Sequence, residues 1–304
     1  MTILAIMGAV IGEHNEATPL ESLLMKIRQI RNATIILEFG SHRILVDPML
    51  ASKGALPPLR LFGARLRNPL VDLPESAANA LDSVTHCLIT HCQKGHFDHL
   101  DRAASRWLRE KQIPVICTPR DAPYLAVRGL NIHPLSDAHE QAAPFLGGTI
   151  RTVKCTHGES LIGKLMEHGV GYFIEVPGEP SVYLSGVTIL TQVVQDFVLR
   201  HQPKISVVPA GGAHFDYGGE IIMGIDEVIK FTKMSKGTVV ANHLEALGHC
   251  PVTRSELAAA AKLAGVVSRL YIPADGAILE RCGMEMPRNS VRFPDLDKAT
   301  ASCT

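Results

Sequence analysis

Four short strand-like runs in this chain each lead into a candidate site residue, and this repetition restricts the fold sharply. Residues 84–90 run into His91. Residues 149–154 run into Cys155-Thr156-His157. Residues 181–184 enter the turn Ser185-Gly186-Val187-Thr188, and residues 238–241 are followed by Asn242-His243. Folds of the α/β class gather their sites at strand ends. The four runs therefore predict strands that deliver side chains to one edge of a strand-rich interior.

The segments between them fill in a pattern. Residues 34–39 and 43–46, joined through Gly40-Ser41, predict a hairpin. Residues 114–117 and 170–176 predict further strands, and those from 149 to 184 predict consecutive antiparallel pairs. Leu100, Ala104, Trp107 and Leu108 have helical spacing and predict a helix over residues 99–111. Residues 188–201 predict another helix and 205–209 a strand. Residues 253–264 predict a helix opened by a capping box, Thr253 with Glu256, and closed by Gly265. Residues 269–272 predict the closing strand.

Near the N-terminus, residues 18–30 predict an amphipathic helix, with Thr18 as cap, Pro19 in the first turn and Glu21 three after the Thr. Residues 51–80, with Gly and several Pro, predict a long surface connection. The expected class is α/β, a β-rich half followed by a βαβ-like half, with helices on both sides of the strands. No composition break divides the chain. Expected boundaries are an N-terminal extension over 1–30, one domain over 31–286 and a tail over 287–304.

Composition narrows the partners. Thirty Lys and Arg balance thirty Asp and Glu, so the chain as a whole lacks the basic excess that marks nucleic-acid or membrane-surface binding. That leaves room for a local basic patch. The seven cysteines are scattered and form no CxxC pair, which points to a reducing compartment. The first twelve residues are apolar but lack a cationic start, and no apolar run approaches the ~20 residues that span a bilayer. A cytoplasmic protein acting on a small molecule is the expectation, with no nucleic-acid or membrane partner.

The segment LITHCQKGHFDHLD, residues 88–101, carries the chemistry. His91, His96, Asp98 and His99 follow a strand closely. Imidazole and carboxylate groups clustered in this way are a common transition-metal site. Asp98 can orient a histidine or cap the following helix. His99 is expected at the surface or at the helix start.

Together these segments resemble the metallo-β-lactamase superfamily over residues 33 to 277. Its members carry T-H-x-H-x-D-H after a strand, a later lone His, a G-D-T turn and a final His. The stretches RNATIILEFGSHRILVDPML, NPLVDLP, PAGGAHFDYGGEIIM and ANHLEALGHCPVTRSEL, with YIPADG, look like a lactonase-like subgroup. The resemblance implies a four-layer αββα sandwich and hydrolysis of a lactone, ester or amide bond in a small polar molecule.

Laid without gaps on the family motif, the chain departs from it. Gln93 stands at the second His, Gly95 at the Asp, and Val187 at the Asp of G-D-T. His91, His96, His157 and His243 match. A gapped register instead sets His96-Phe97-Asp98-His99 on H-x-D-H. The ungapped register is taken here, because family members also have Asp two residues after the last His, as in Phe97-Asp98.

Two dications bring four positive charges, and burying uncompensated charge is expensive. With both family carboxylates replaced, the expectation is at most one ion, zinc or another divalent transition metal, held by His91, His157 and His243. His96 and Asp98 are the acid–base candidates. Cys92 and Cys155 can in principle add a thiolate, but core packing suits each better. Gln93, Val187, His214, Glu245, His249 and Arg254 are candidate substrate contacts. Glu256 is the capping-box partner instead. The alternative is a metal-free pocket protein whose histidines bind a ligand or move protons.

Overall fold

The computed structural model describes residues 24–59, 65–92, 97–135, 139–158, 169–214 and 219–282. One seven-stranded sheet is built from β1 (Leu24–Arg31), β2 (Thr34–Phe39), β3 (His42–Val46), β4 (His86–Leu88), β5 (Pro114–Cys117), β6 (Asn131–Pro134) and β14 (Ile278–Cys282), in the order β14-β1-β2-β3-β4-β5-β6. The other is built from β7 (Ala142–Phe145), β8 (Gly148–Lys154), β9 (Val170–Glu175), β10 (Val182–Leu184), β11 (Ile205–Pro209), β12 (Thr238–Asn242) and β13 (Leu270–Tyr271). Its order simply reverses the chain, β13 to β7. In each sheet the early strands pair antiparallel and the later ones parallel, except β14, which pairs antiparallel with β1.

The inner faces of the two sheets meet in one core. Ile27, Ile35, Leu37, Ile44, Val46 and Leu88 of the first sheet pack with Ile150, Tyr172, Ile174, Leu184, Val207 and Val240 of the second. Helices α1 (Ala77–Asp82), α2 (Arg102–Glu110) and α3 (Ala122–Ala126) cover the outside of the first sheet. Helices α4 (Gln192–His201), α5 (Ile225–Met234) and α6 (Arg254–Leu263) cover the second, through Phe197, Phe231 and Leu257. Two helical layers thus enclose two sheets, the αββα order expected from the resemblance. Among the described residues no helix is long and apolar enough to cross a membrane.

The ends of the chain differ from expectation. The helix expected over 18–30 is replaced from Leu24 onward by β1; residues 18–23 lie outside the described residues. Leu, Met and Lys favour helix in isolation. In β1, however, Met25 and Ile27 point inward while Leu24, Lys26 and Arg28 stay half-exposed, and the strand pairs with both β2 and β14. That two-sided pairing overrides local preference. The strand over residues 269–272 does not close the fold either, since β14 returns to the first sheet after it. Residues 24–28 and 278–282 are therefore tied together, as Met25↔Arg281 and Ile27↔Leu279 show. β6, β7, α1, α3 and α5 have no counterpart in the sequence expectations, and α1 begins inside the expected surface connection over 51–80.

Arg31 anchors the start of the site edge. Its guanidinium is fully buried and donates to the carbonyls of Met49, Ala51 and Val71 at 2.6, 2.8 and 3.0 Å. These bonds fix the segment that follows Asp47.

Candidate metal centre

Parallel pairing of β3 with β4, register Val46↔Leu88, sets Asp47 beside Thr90. Oδ1 of Asp47 accepts the Thr90 backbone N–H at 2.8 Å, and Oδ2 accepts the Thr90 hydroxyl at 2.6 Å. Oδ2 also lies 3.0 Å from Nδ1 of His99. Asp47 holds φ at +46°, a conformation with a steric cost that persists where surrounding contacts enforce it.

His99 is buried, with Nε2 3.3 Å from Oδ2 of Asp98. The same Asp98 oxygen lies 3.6 Å from Nε2 of His243. His243 follows β12 with φ +60°, and its N–H donates to the carbonyl of Asn32 at 3.0 Å. Its Nδ1 is 3.5 Å from Sγ of Cys250. Gly211 leaves room for this turn, since a Cβ there would stand 2.3 Å from the His243 carbonyl oxygen. One donor atom each from Asp98, His99 and His243 lies within 4.8 Å of the others.

Two further imidazoles continue the cluster. The His91 ring is 4.2 Å from that of His99 and 5.0 Å from that of His157, centroid to centroid. Gly169 backs this pair. A Cβ on Gly169 would meet Cε1 of His157 at 3.2 Å and Cγ of His91 at 3.7 Å. A cavity of about 20 Å³ opens on the cluster, lined by Asp47, Thr90, His99, Val187, Asn242 and His243 among others. That is room for about one water or one ion.

Burial opposes charge on both members of the Asp98–His99 pair, yet their proximity outweighs it. The neighbouring carboxylates of Asp98 and Asp47 push His99 up to about 10. Against its own burial, Asp98 is held well below the usual carboxylate range by His99 and His243. The buried Asp47 and the partly buried Asp98 thus flank one imidazole and favour its protonated form. A dication in place of the His99 proton would balance them, and carboxylate with imidazole is a donor set that divalent transition metals accept. The residues present fit a metal ion.

Several sequence expectations change here. His99 is not at the surface but 1 % exposed, between two carboxylates. Asp98 does not cap α2; Asp101 does, accepting from the Ala104 N–H at 2.7 Å. The place of His99 beside Asp98 suits the gapped register, which has four residues rather than one between His91 and His96 and sets Asp98-His99 on D-H. The ungapped register put Gly95 at the Asp position and so counted a carboxylate as lost. Gln93, Gly95 and His96 lie outside the described residues.

His243 stands with Asp98 and His99, while His91 and His157 stand one ring further on. Val187 reaches the cavity but is packed with Met49, Ile221, Leu247 and Cys250. Glu245 and Arg254 meet each other rather than the histidines. Arg254 pairs with Oε2 of Glu245 and with Oδ1 of Asp275, both at 2.5 Å. His214 turns its Nδ1 to the Gly212 carbonyl at 3.2 Å, its N–H donates to the carbonyl of the buried His249, and neither side chain lines the cavity.

The thiols are core groups: burial pushes Cys92 up to about 12 and raises Cys155 further, and Cys155 donates to the Ser185 carbonyl at 2.9 Å. Three participants were missed, Asp47, Gly169 and Cys250. Asp47 was legible, because LVDP ends a strand in a carboxylate as the other runs end in imidazoles.

The sheet order, the enclosing helices and this cluster at one sheet edge define a protein of the metallo-β-lactamase fold. Among solved structures, YhfI of Bacillus subtilis, a metallo-β-lactamase fold protein, superposes with TM-score 0.57 at 13% identity over 85% of this chain and 99% of its own. No family model matches the sequence. YddR of Bacillus subtilis, a UPF0173 protein, is 33% identical over 257 residues, 83% of this chain and 98% of its own. The chain belongs to the UPF0173 family.

Another relative, from Xanthobacter autotrophicus, is 27% identical over 62% of this chain and 72% of its own, and is described as a UPF0173 metal-dependent hydrolase. Two further solved structures match more closely than YhfI. An isothiocyanate hydrolase from Delia radicum gut bacteria has TM-score 0.75 at 32% identity, covering 84% of this chain and 98% of its own. A possible metal-dependent hydrolase from Veillonella parvula has TM-score 0.76 at 26% identity, covering 84% and 99%.

Proposed function

We propose that this chain is a metal-dependent hydrolase acting on a small molecule with an electrophilic carbon, and that one divalent ion sits between Asp98, His99 and His243. The carrying observation is the convergence of those three donor atoms within 4.8 Å at a buried sheet edge. An ion there supplies a Lewis acid and a water of lowered pKa.

The chain's own residues prepare the site. Asp47 lies 3.0 Å from Nδ1 of His99, on the side of the ring away from Asp98, and would hold Nε2 toward Asp98. Cys250 stands behind His243 on the Nδ1 side, leaving Nε2 facing Asp98. His91 and His157 carry protons between the attacking water and the leaving group.

One ion suits the charge present. Asp98 and Asp47 balance a single dication. A second would have no carboxylate of its own, because Val187 offers only methyl groups to the cavity. The metal-free alternative rested on the combined replacement of Gln93, Gly95 and Val187, and the placement of Asp98 and His99 removes most of that basis.

The substrate class combines the lactone, ester or amide implied by the resemblance with the isothiocyanate of the 32% identical hydrolase. In each, water adds to a carbon doubly bonded to a heteroatom. For an isothiocyanate, R–N=C=S and water give R–NH2 and COS. The test is elemental analysis of protein purified without chelator or added metal, followed by assay on a lactone, an aryl ester and benzyl isothiocyanate. About one transition-metal ion per chain, and hydrolysis that a chelator abolishes and metal restores, are expected. Metal-free protein that hydrolyses at the full rate contradicts the reading.

A further inference from the structure

We infer that the substrate carries an organic anion, a carboxylate, at the end remote from the reacting carbon, and that Arg120 and Lys154 receive it. This rests on the hydrolase reading for the word substrate, but the anion site itself stands on separate observations.

A cavity of about 210 Å³ is lined by Thr118, Arg120, His139, Lys154, Cys155 and Gly169, together with Thr152 and Val170. It is some ten times larger than the cavity at the metal donors and large enough for a small organic molecule. Its floor reaches the histidine cluster. Gly169 and Cys155 line it, and the Cβ position of Gly169 is 3.2 Å from Cε1 of His157 and 3.7 Å from Cγ of His91. Gly169 thus stands between this cavity and those two rings, and its lack of a side chain keeps them close.

Its charge is one-sided. Arg120 from the loop after β5 and Lys154 at the end of β8 both line it, are exposed, and make no salt bridge among the described residues. Among the described residues no carboxylate lines the cavity. His139 pairs outward with Glu140 at 3.2 Å. In a chain whose thirty cations match thirty anions, two cations without a salt bridge among the described residues stand over a cavity close to imidazoles and form a local positive mouth. Positive potential at a cleft mouth concentrates anions and orients them. An anion held there leaves the rest of the molecule directed at Gly169 and the rings behind it.

The test uses benzoate and the isosteric neutral benzamide with the full chain and with the double variant Arg120→Gln, Lys154→Gln. Both residues are exposed, and an unchanged melting temperature checks the fold. In chelator-treated protein, where no metal can draw the anion, titration calorimetry should show benzoate binding at least tenfold tighter than benzamide. The double variant should lose about tenfold for benzoate and little for benzamide, the scale expected of two exposed charge contacts. Equal affinity for the two probes, or benzoate affinity unchanged in the variant, overturns the proposal.

A second arm measures KM in metal-loaded protein for 4-acetoxybenzoate against phenyl acetate. The anionic ester should have the lower KM, and the gap should close in the variant. Benzoate binding without hydrolysis of either ester keeps the anion site and defeats the hydrolase reading. Hydrolysis with no preference for the anionic ester does the reverse.

Discussion

Oδ2 of Asp47 stands 3.0 Å from Nδ1 of His99, with both side chains almost wholly buried, and the same carboxylate ties down the N–H and hydroxyl of Thr90. One residue at the end of β3 therefore fixes the end of β4 and orients an imidazole of the proposed centre. Asp47→Asn keeps the shape but removes the charge and one acceptor. Metal affinity should fall 10- to 100-fold, and stability by about 1–3 kcal/mol for the lost buried acceptor. Competition with a chromogenic chelator and denaturant unfolding measure the two effects.

The position of Val187 gives a sharper test than sequence alone offers. In the ungapped register three family residues are replaced, so a second ion would call for Gln93→His, Gly95→Asp and Val187→Asp together. With Asp98 already facing His99 and His243, Val187→Asp alone should raise uptake toward two ions per chain in excess zinc. Without metal the same variant should unfold more easily by several kcal/mol, since it buries a carboxylate among Met49, Ile221 and Leu247. Zinc stoichiometry and melting temperature, each with and without zinc, report both halves.

His99 makes a prediction about pH. Its folded pKa of about 10 lies above the ordinary 6.5. A raised pKa means that the folded state holds the proton more tightly than the unfolded state. The resulting stability is fully present below about 6.5 and is lost as pH rises through about 10. Chelator-treated protein should therefore show a falling melting temperature across that window. With zinc bound, His99 no longer carries the proton and this fall should disappear. A parallel decline in both forms would show that another group is responsible.

Arg31 supports the site from below. Arg31→Met leaves the carbonyls of Met49, Ala51 and Val71 without their donors and should cost about 3–5 kcal/mol. Arg31→Lys should recover only part of this, because a point ammonium cannot span the three carbonyls as the planar guanidinium does. Urea unfolding of the three proteins gives the comparison.

How much of this could be read beforehand depends on where the information lies along the chain. The β2–β3 hairpin, the strands that end at the site, and the Thr253–Glu256 capping box are set by neighbouring residues, and each forms as expected. The identity of β1 is not local: Leu24–Arg31 becomes a strand because β2 and β14, about 240 residues apart in the chain, flank it. The same limit applied to Asp98 and His99. Spacing alone left two registers open, and only the side-chain positions show His99 lodged between Asp47 and Asp98. Arg254 looked available for a substrate until Asp275, 21 residues on, was found beside it.

The account centres on one ion among Asp98, His99 and His243, and an anomalous difference map from crystals of zinc-loaded protein, collected at the zinc edge, tests it most directly. The predicted result is a single strong peak about 2.0–2.2 Å from a carboxylate oxygen of Asp98 and from Nε2 of His99 and His243. A lone peak between His91 and His157 with nothing at Asp98, or two peaks of equal height, would contradict it.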